Sequence, residues 1–191
     1  METRNISISI ARELYNSSNK ELQEDELDFR DITTFEKVCE VLGLDYDIML
    51  DIGKSSTAMF KLSLVRKVLN LGYDLSLTKS HHLYYPKNYL VTENAAYGNW
   101  IRLEGTEVIG KIKSEEVIYN VLGGAVSDCY DAGLCSFHPS ESIGYATTGL
   151  GFLGCATKEI AQHFGKYFGM LITEAKYADI IQDFMIIESK Y

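Results

Sequence analysis

One stretch constrains this chain more than any other. Between Thr57 and Leu71, Ala58, Leu62, Val65 and Leu69 form one stripe at helical spacing, while Phe60, Leu64, Val68 and Leu71 form a second. A helix with a single apolar stripe lies on a core; one with two has to be covered from more than one side. Gly72 ends the pattern. Either the rest of the chain wraps this helix or an oligomer covers it.

Two further helices are marked by their ends. Thr33-Thr-Phe-Glu36 fits a capping box, with Phe35, Val38, Cys39 and Leu42 on one stripe and Gly43 at the left-handed position that closes a helix. The spacing predicts a helix over 35–42. Near the other end, Thr157 caps a long amphipathic helix whose apolar stripe is Ile160, Ala161, Phe164, Phe168, Leu171 and Ile172, with His163 on the solvated side. Ile6, Ile8 and Ile10 alternate like a strand, but the same residues also lead into a helix over 10–16, which is the preferred reading. A short polar helix is expected at 20–27.

After Tyr73 the period changes from helical to alternating. Strand pieces at His82–Pro86 and Asn88–Thr92 are separated by Pro86. Trp100–Glu104 and Glu107–Ile112 read as a hairpin, and Ser114–Leu122 as a short helix or a strand. A long loop is expected from Gly123 to Ser142, then strands at Ile143–Thr148 and Ile180–Ile187. The expectation is one α+β domain over 1–191, helical through 1–72 and α+β through 73–191. Its parts are N-terminal helices, a central mainly antiparallel sheet and a long C-terminal amphipathic helix.

Charge narrows the function. The chain has 27 acidic and 18 basic residues, a net −9. Residues 1–51 hold 13 acids and 5 bases, so nearly all of the imbalance is N-terminal. Clustered basic residues are missing, which argues against nucleic acid as a partner. The apolar runs are too short for a membrane helix and no signal peptide opens the chain, so neither a membrane nor secretion is expected. The cysteines at 39, 129, 135 and 155 lack C-x-x-C spacing; free thiols in a cytoplasm are the simplest reading, a Cys129–Cys135 disulfide the minor one.

Several motifs resemble sites without completing them. Gly149-Leu-Gly-Phe-Leu-Gly154 has dinucleotide-binding spacing, but too little chain follows it for the rest of that unit. Gly53-Lys54-Ser55-Ser56 copies the end of a phosphate-binding loop, yet Ile48 stands where its first glycine belongs. His81, His82 and His138 lack metal-ligand spacing. No catalytic residue, cofactor or metal is assigned. The stronger signals are aromatic side chains in the middle region and an Asp/Cys/His-bearing loop, both suited to recognition. The candidate binding surface is Tyr85, Tyr97, Trp100, Asp128, Asp131 and His138.

The blocks Lys61–Gly72, Ile109–Ser114, Tyr119–Gly124 and Gly151–Phe168 resemble an uncharacterised family encoded in phages and prophages of gut Bacteroides-type bacteria. The N-terminal pattern of Tyr15-Asn16, Thr34-Phe35-Glu36 and Leu42-Gly43 matches as well, and this chain is shorter than its relatives between Glu24 and Asp31. The resemblance implies a phage-derived origin, in host cytoplasm or virion, and assigns no catalytic residues. The resulting expectation is a non-enzymatic accessory protein that binds a protein partner in the virion or a host factor. The alternative is a small-molecule protein, binding a nucleotide or sugar, or an enzyme, using the 123–154 region.

Overall fold

The computed structural model describes residues 2–17, 27–73, 83–93, 106–129, 145–146 and 153–191. The elements in chain order are β1 (Glu2–Ile6), α1 (Ile8–Ser17), α2 (Phe35–Val41), β2 (Tyr46–Leu50), α3 (Lys54–Leu69), β3 (Leu83–Thr92), β4 (Glu107–Ser114), β5 (Val117–Cys129), β6 (Tyr145–Ala146), α4 (Lys158–Tyr167), α5 (Gly169–Tyr177) and β7 (Met185–Ser189). β1 and β2 pair in parallel as a two-stranded sheet. The larger sheet has the order β6-β3-β5-β4-β7 with antiparallel neighbours throughout. The fold is α+β, as the change of period predicts.

The two-faced helix is α3, and the chain wraps it. Leu62, Leu64 and Val65 are fully buried, in one core with Val38 of α2, Ile48 of β2, Phe164 of α4 and Ile172 of α5. Each such side chain contributes about 1.5–3 kcal/mol on leaving water. α3 begins at Lys54, earlier than its apolar pattern. The Thr57 hydroxyl explains this: it donates to Gly53 O (2.8 Å) and accepts from Leu50 N (2.9 Å), tying the end of β2 to the first turn. β2 had no expected counterpart, although Ile48 and Leu50 are buried and alternate with Asp47 and Met49.

The cap of α2 lies one residue later than the capping box suggests. Thr33 N is bound to Asp31 O (3.1 Å) in the exit of a short 3-10 turn, so Thr34 takes the extended cap conformation and its hydroxyl accepts from Lys37 N (3.3 Å). The far end is as predicted. Gly43 has φ +70°, Gly43 N bonds Glu40 O (3.1 Å) and Leu44 N bonds Cys39 O (2.8 Å), a complete Schellman closure.

The sheet departs from expectation in three places. Pro86 does not interrupt β3. Tyr84 N bonds Cys155 O (3.0 Å), so that side of β3 faces away from β5; two residues on, Pro86 presents its missing N–H to the same side. The hairpin of 107–114 is made with the following segment, β5, through Glu115 at φ +52°; positions 94–105, where the other arm was expected, lie outside the described residues. The segment 114–122 is therefore mostly strand, and β5 continues to Cys129, which removes 123–129 from the expected loop. Its remainder to 142 is described nowhere, nor is the polar helix expected at 20–27, apart from Leu27.

The C-terminal helix is two helices. Phe168 leaves the helical conformation (φ −113°, ψ 12°), and α5 restarts at Gly169. The break falls where the helical layer meets the sheet. A Cβ on Gly123 would overlap the Gly165 carbonyl oxygen, and one on Gly169 would overlap Asn88 and Ile109. One side of this layer packs on α3 through Ile172 and Ala175; the other packs Met170 and Tyr177 against Leu90, Ile112 and Val121. The final strand starts later than expected, at Met185, after a turn with Asp183 at φ +51°. The segment after it is fastened by Glu107, whose carboxylate accepts from Lys190, Lys166 (2.9 Å) and Tyr191 (3.0 Å).

Gly123→Ala should lower the free energy of unfolding by about 1–3 kcal/mol, the usual cost of overpacking. In a urea titration this reads as a lower midpoint with unchanged slope. An unchanged midpoint would mean that the α4–α5 layer does not sit on the sheet backbone at this point.

Candidate functional site

Of the six residues expected to form a binding surface, Tyr85 and Asp128 belong to described strands. Tyr97, Trp100, Asp131 and His138 lie outside the described residues. The β3–β5 register sets Tyr84 opposite Asp128 and Tyr85 opposite Ser127, which places Tyr85 and Asp128 on neighbouring strands at one end of the sheet. The Tyr85 side chain is half-buried beside Gly154, its hydroxyl oxygen 3.2 Å from where a Gly154 Cβ would stand. Burial raises its phenol pKa, and the hydroxyl is buried without a hydrogen-bond partner among the described residues.

The incomplete motifs have structural work. Gly53-Lys54-Ser55-Ser56 opens α3 directly after a strand, as a phosphate loop would, but the chain supplies the anion itself. Ser55 N donates to Asp179 Oδ2 (3.3 Å), Ser55 Oγ donates to Glu174 O (3.3 Å), and Asp179 N donates to Ser55 Oγ (3.2 Å). A carboxylate at a helix N-terminus is favourable. From the glycine-rich motif, Gly154 is described; its carbonyl accepts from Arg66 Nε (2.9 Å), which pins it to α3.

Titratable groups in the described core are likewise committed. Burial pushes the Cys39 thiol up to about 11 and the Cys155 thiol up to about 12, well away from a reactive thiolate. Lys61 pairs with Asp47 (2.6 Å), and Glu174 beside them is raised chiefly by burial. Among the described residues, no group of three His, Cys, Asp or Glu side chains is placed to hold a metal. No described helix is long and apolar enough to cross a membrane.

His163 is not solvated, contrary to the expectation from its helix face. It is half-buried, with Nε2 2.8 Å from Ile32 O, Phe29 edge-on at 5.4 Å and Tyr167 at 4.5 Å. The segment carrying Phe29 and Ile32 folds over this side of α4. Burial is the main cause that lowers the imidazole pKa below 6.5.

What sequence reasoning missed is a trough between α1 and α3. α1 buries only Ala11, and it is held at its far end by Lys67, which donates to Tyr15 O (2.8 Å) and lies over the Tyr15 ring (4.6 Å). Along the rest of its length it stands beside α3 with a space of about 450 Å³ between them. One wall is Ile8, Ala11, Arg12, Tyr15 and Asn16; the other is Ser56, Met59, Phe60 and Ser63, with Leu50 and Ile52 from the end of β2. Ile8 is 53% exposed, Ile52 50% and Met59 39%. Arg12 is the one charged residue of the lining among the described residues. The signal lay in leftovers: Ile52 and Met59 belong to neither stripe of α3, and Ile8, Ala11 and Tyr15 repeat at i, i+3, i+7.

Compared with family models, with curated proteins and with solved structures, the chain finds no match.

The His163 geometry carries a pH dependence. A depressed folded-state pKa leaves stability intact above about pH 6.5 and erodes it as the pH falls further, because the unfolded chain takes up the proton first. Between about pH 7 and 5 the wild type should lose more unfolding free energy than His163→Phe, measured by urea titration at each pH. Equal losses in the two proteins would contradict a half-buried imidazole.

Proposed function

We propose that this is a non-enzymatic binding protein, phage- or prophage-derived, that engages a protein partner in the virion or a host factor through the face built by α1, β2 and α3. One observation carries the reading: Ile8, Ile52 and Met59 are exposed around a single apolar trough rather than scattered. Single exposed hydrophobic residues are ordinary, but a contiguous set rimmed by polar groups marks an interaction surface. Support also comes from the chemistry left over. Cys39 and Cys155 are buried, and the helix end at Gly53-Lys54-Ser55-Ser56 that resembles a phosphate site is filled by Asp179.

Met59→Glu places a charge in the trough and leaves the α3 core stripes untouched. Met185→Glu, on the exposed final strand, serves as the control. With wild-type and variant chains as baits in bacterial lysate and against disrupted virions, the reading expects proteins held by wild type and Met185→Glu to drop about tenfold on Met59→Glu, a change of about 1.4 kcal/mol. The same proteins retained on all three baits would contradict it.

A further inference from the structure

From the walls of the trough we infer that its occupant is an amphipathic helix of the partner protein, carrying a carboxylate that pairs with Arg12. This rests on the reading of the α1–β2–α3 face as the binding surface, and it names what that surface takes.

Both walls are helical. On α1 the lining falls at positions 8, 11, 12, 15 and 16, and on α3 at 56, 59, 60 and 63. Each set is one stripe of a 3.6-residue repeat. At about 1.5 Å of rise per residue, the stripes run about 10–12 Å, or two helical turns. Two ridged helical walls of that length present a groove into which a third helix can interdigitate. Apolar anchors at i, i+3, i+4 and i+7 are the mode by which amphipathic helices enter such grooves. α1 gives the trough a reason to be filled, since Ala11 is its only buried residue and Ile8 and Tyr15 turn toward the space.

The charge selects the occupant further. Among the described residues, Arg12 is the only charged side chain of the lining, and no ion pair engages it. A guanidinium beside apolar walls favours a carboxylate, which it can grip with two parallel hydrogen bonds. A second copy of this chain is disfavoured: it would bring the same described lining, whose charge is Arg12, so like charges would meet and no carboxylate would be supplied.

The test is selection of displayed 16-residue helix-forming peptides on the full chain, with counter-selection on Met59→Glu. The expected survivors share an apolar i, i+3, i+4, i+7 stripe and one Asp or Glu. Their affinity should fall at least tenfold on Arg12→Glu and recover when the peptide acid is changed to Lys. The inference is overturned by failure to enrich any peptide that separates wild type from Met59→Glu, or by enriched peptides indifferent to Arg12→Glu. Full displacement by decanoate alone with no helical pattern among the binders would also overturn it, as would sedimentation showing a dimer that Met59→Glu dissolves. The two readings fail separately. Baits that keep their proteins despite Met59→Glu remove the face itself; loss on Met59→Glu with no effect of Arg12→Glu removes only the carboxylate-bearing helix.

Discussion

The seating of the α4–α5 layer directly on the sheet is the constraint on which the rest of the molecule depends. Gly123 of β5 leaves no room for a Cβ beneath the Gly165 carbonyl of α4, and a Cβ on Gly169 of α5 would overlap the side chains of Asn88 and Ile109. Backbones that approach this closely fix the height of the helices above the sheet, and close-packed interiors transmit that height to the next layer. α5 then offers Ile172 and Ala175 to α3 from its other side, while Met170 and Tyr177 fill the space over Leu90 and Val121. The break at Phe168 follows from the same seat: the glycines meet the sheet on either side of it, and α5 continues as a separate helix.

With α3 held at that height, the N-terminal part assembles around it. β2 and α2 cover one flank, Asp179 from beyond α5 supplies the charge at its N-terminus, and Arg66 fastens the Gly154 carbonyl to its other end. Among the described α-helices, α1 has the least cover. A parallel two-stranded sheet and one buried alanine give little anchorage, since parallel pairs are stable mainly when both faces are packed. The apolar side chains that a tighter α1 would have hidden therefore line a trough. Interaction surfaces drawn from the less anchored elements of a fold are a general pattern.

Much of this fold was legible in the residues. The two stripes of α3, the closure at Gly43 and the cap at Thr157 are local chemistry, and local chemistry survives folding. The misreadings came from partners distant in sequence. Pro86 reads as a strand break until one sees that its missing N–H faces away from β5. The C-terminal stripe reads as one helix because nothing local announces that Gly169 must meet Asn88 and Ile109. His163 reads as solvated because its cover, Phe29 and Ile32, lies 131 residues away at the Ile32 contact. The trough was invisible for the same reason: Ile8, Ile52 and Met59 look like stray surface hydrophobics until the fold gathers them. Of the aromatic and loop residues singled out from sequence, Tyr85 and Asp128 lie on the neighbouring strands β3 and β5, one register position apart.

The most direct measurement of the central claim is amide hydrogen exchange on the full chain, alone and with a selected partner helix bound. Alone, α1 should exchange through local opening far faster than α3, whose fully buried residues require global unfolding. On binding, protection should rise over Ile8–Ser17 and the first three turns of α3, with β3 and β5 unchanged. Protection that appears instead over Leu83–Thr92 or Val117–Cys129, with α1 exchanging as before, would contradict the account.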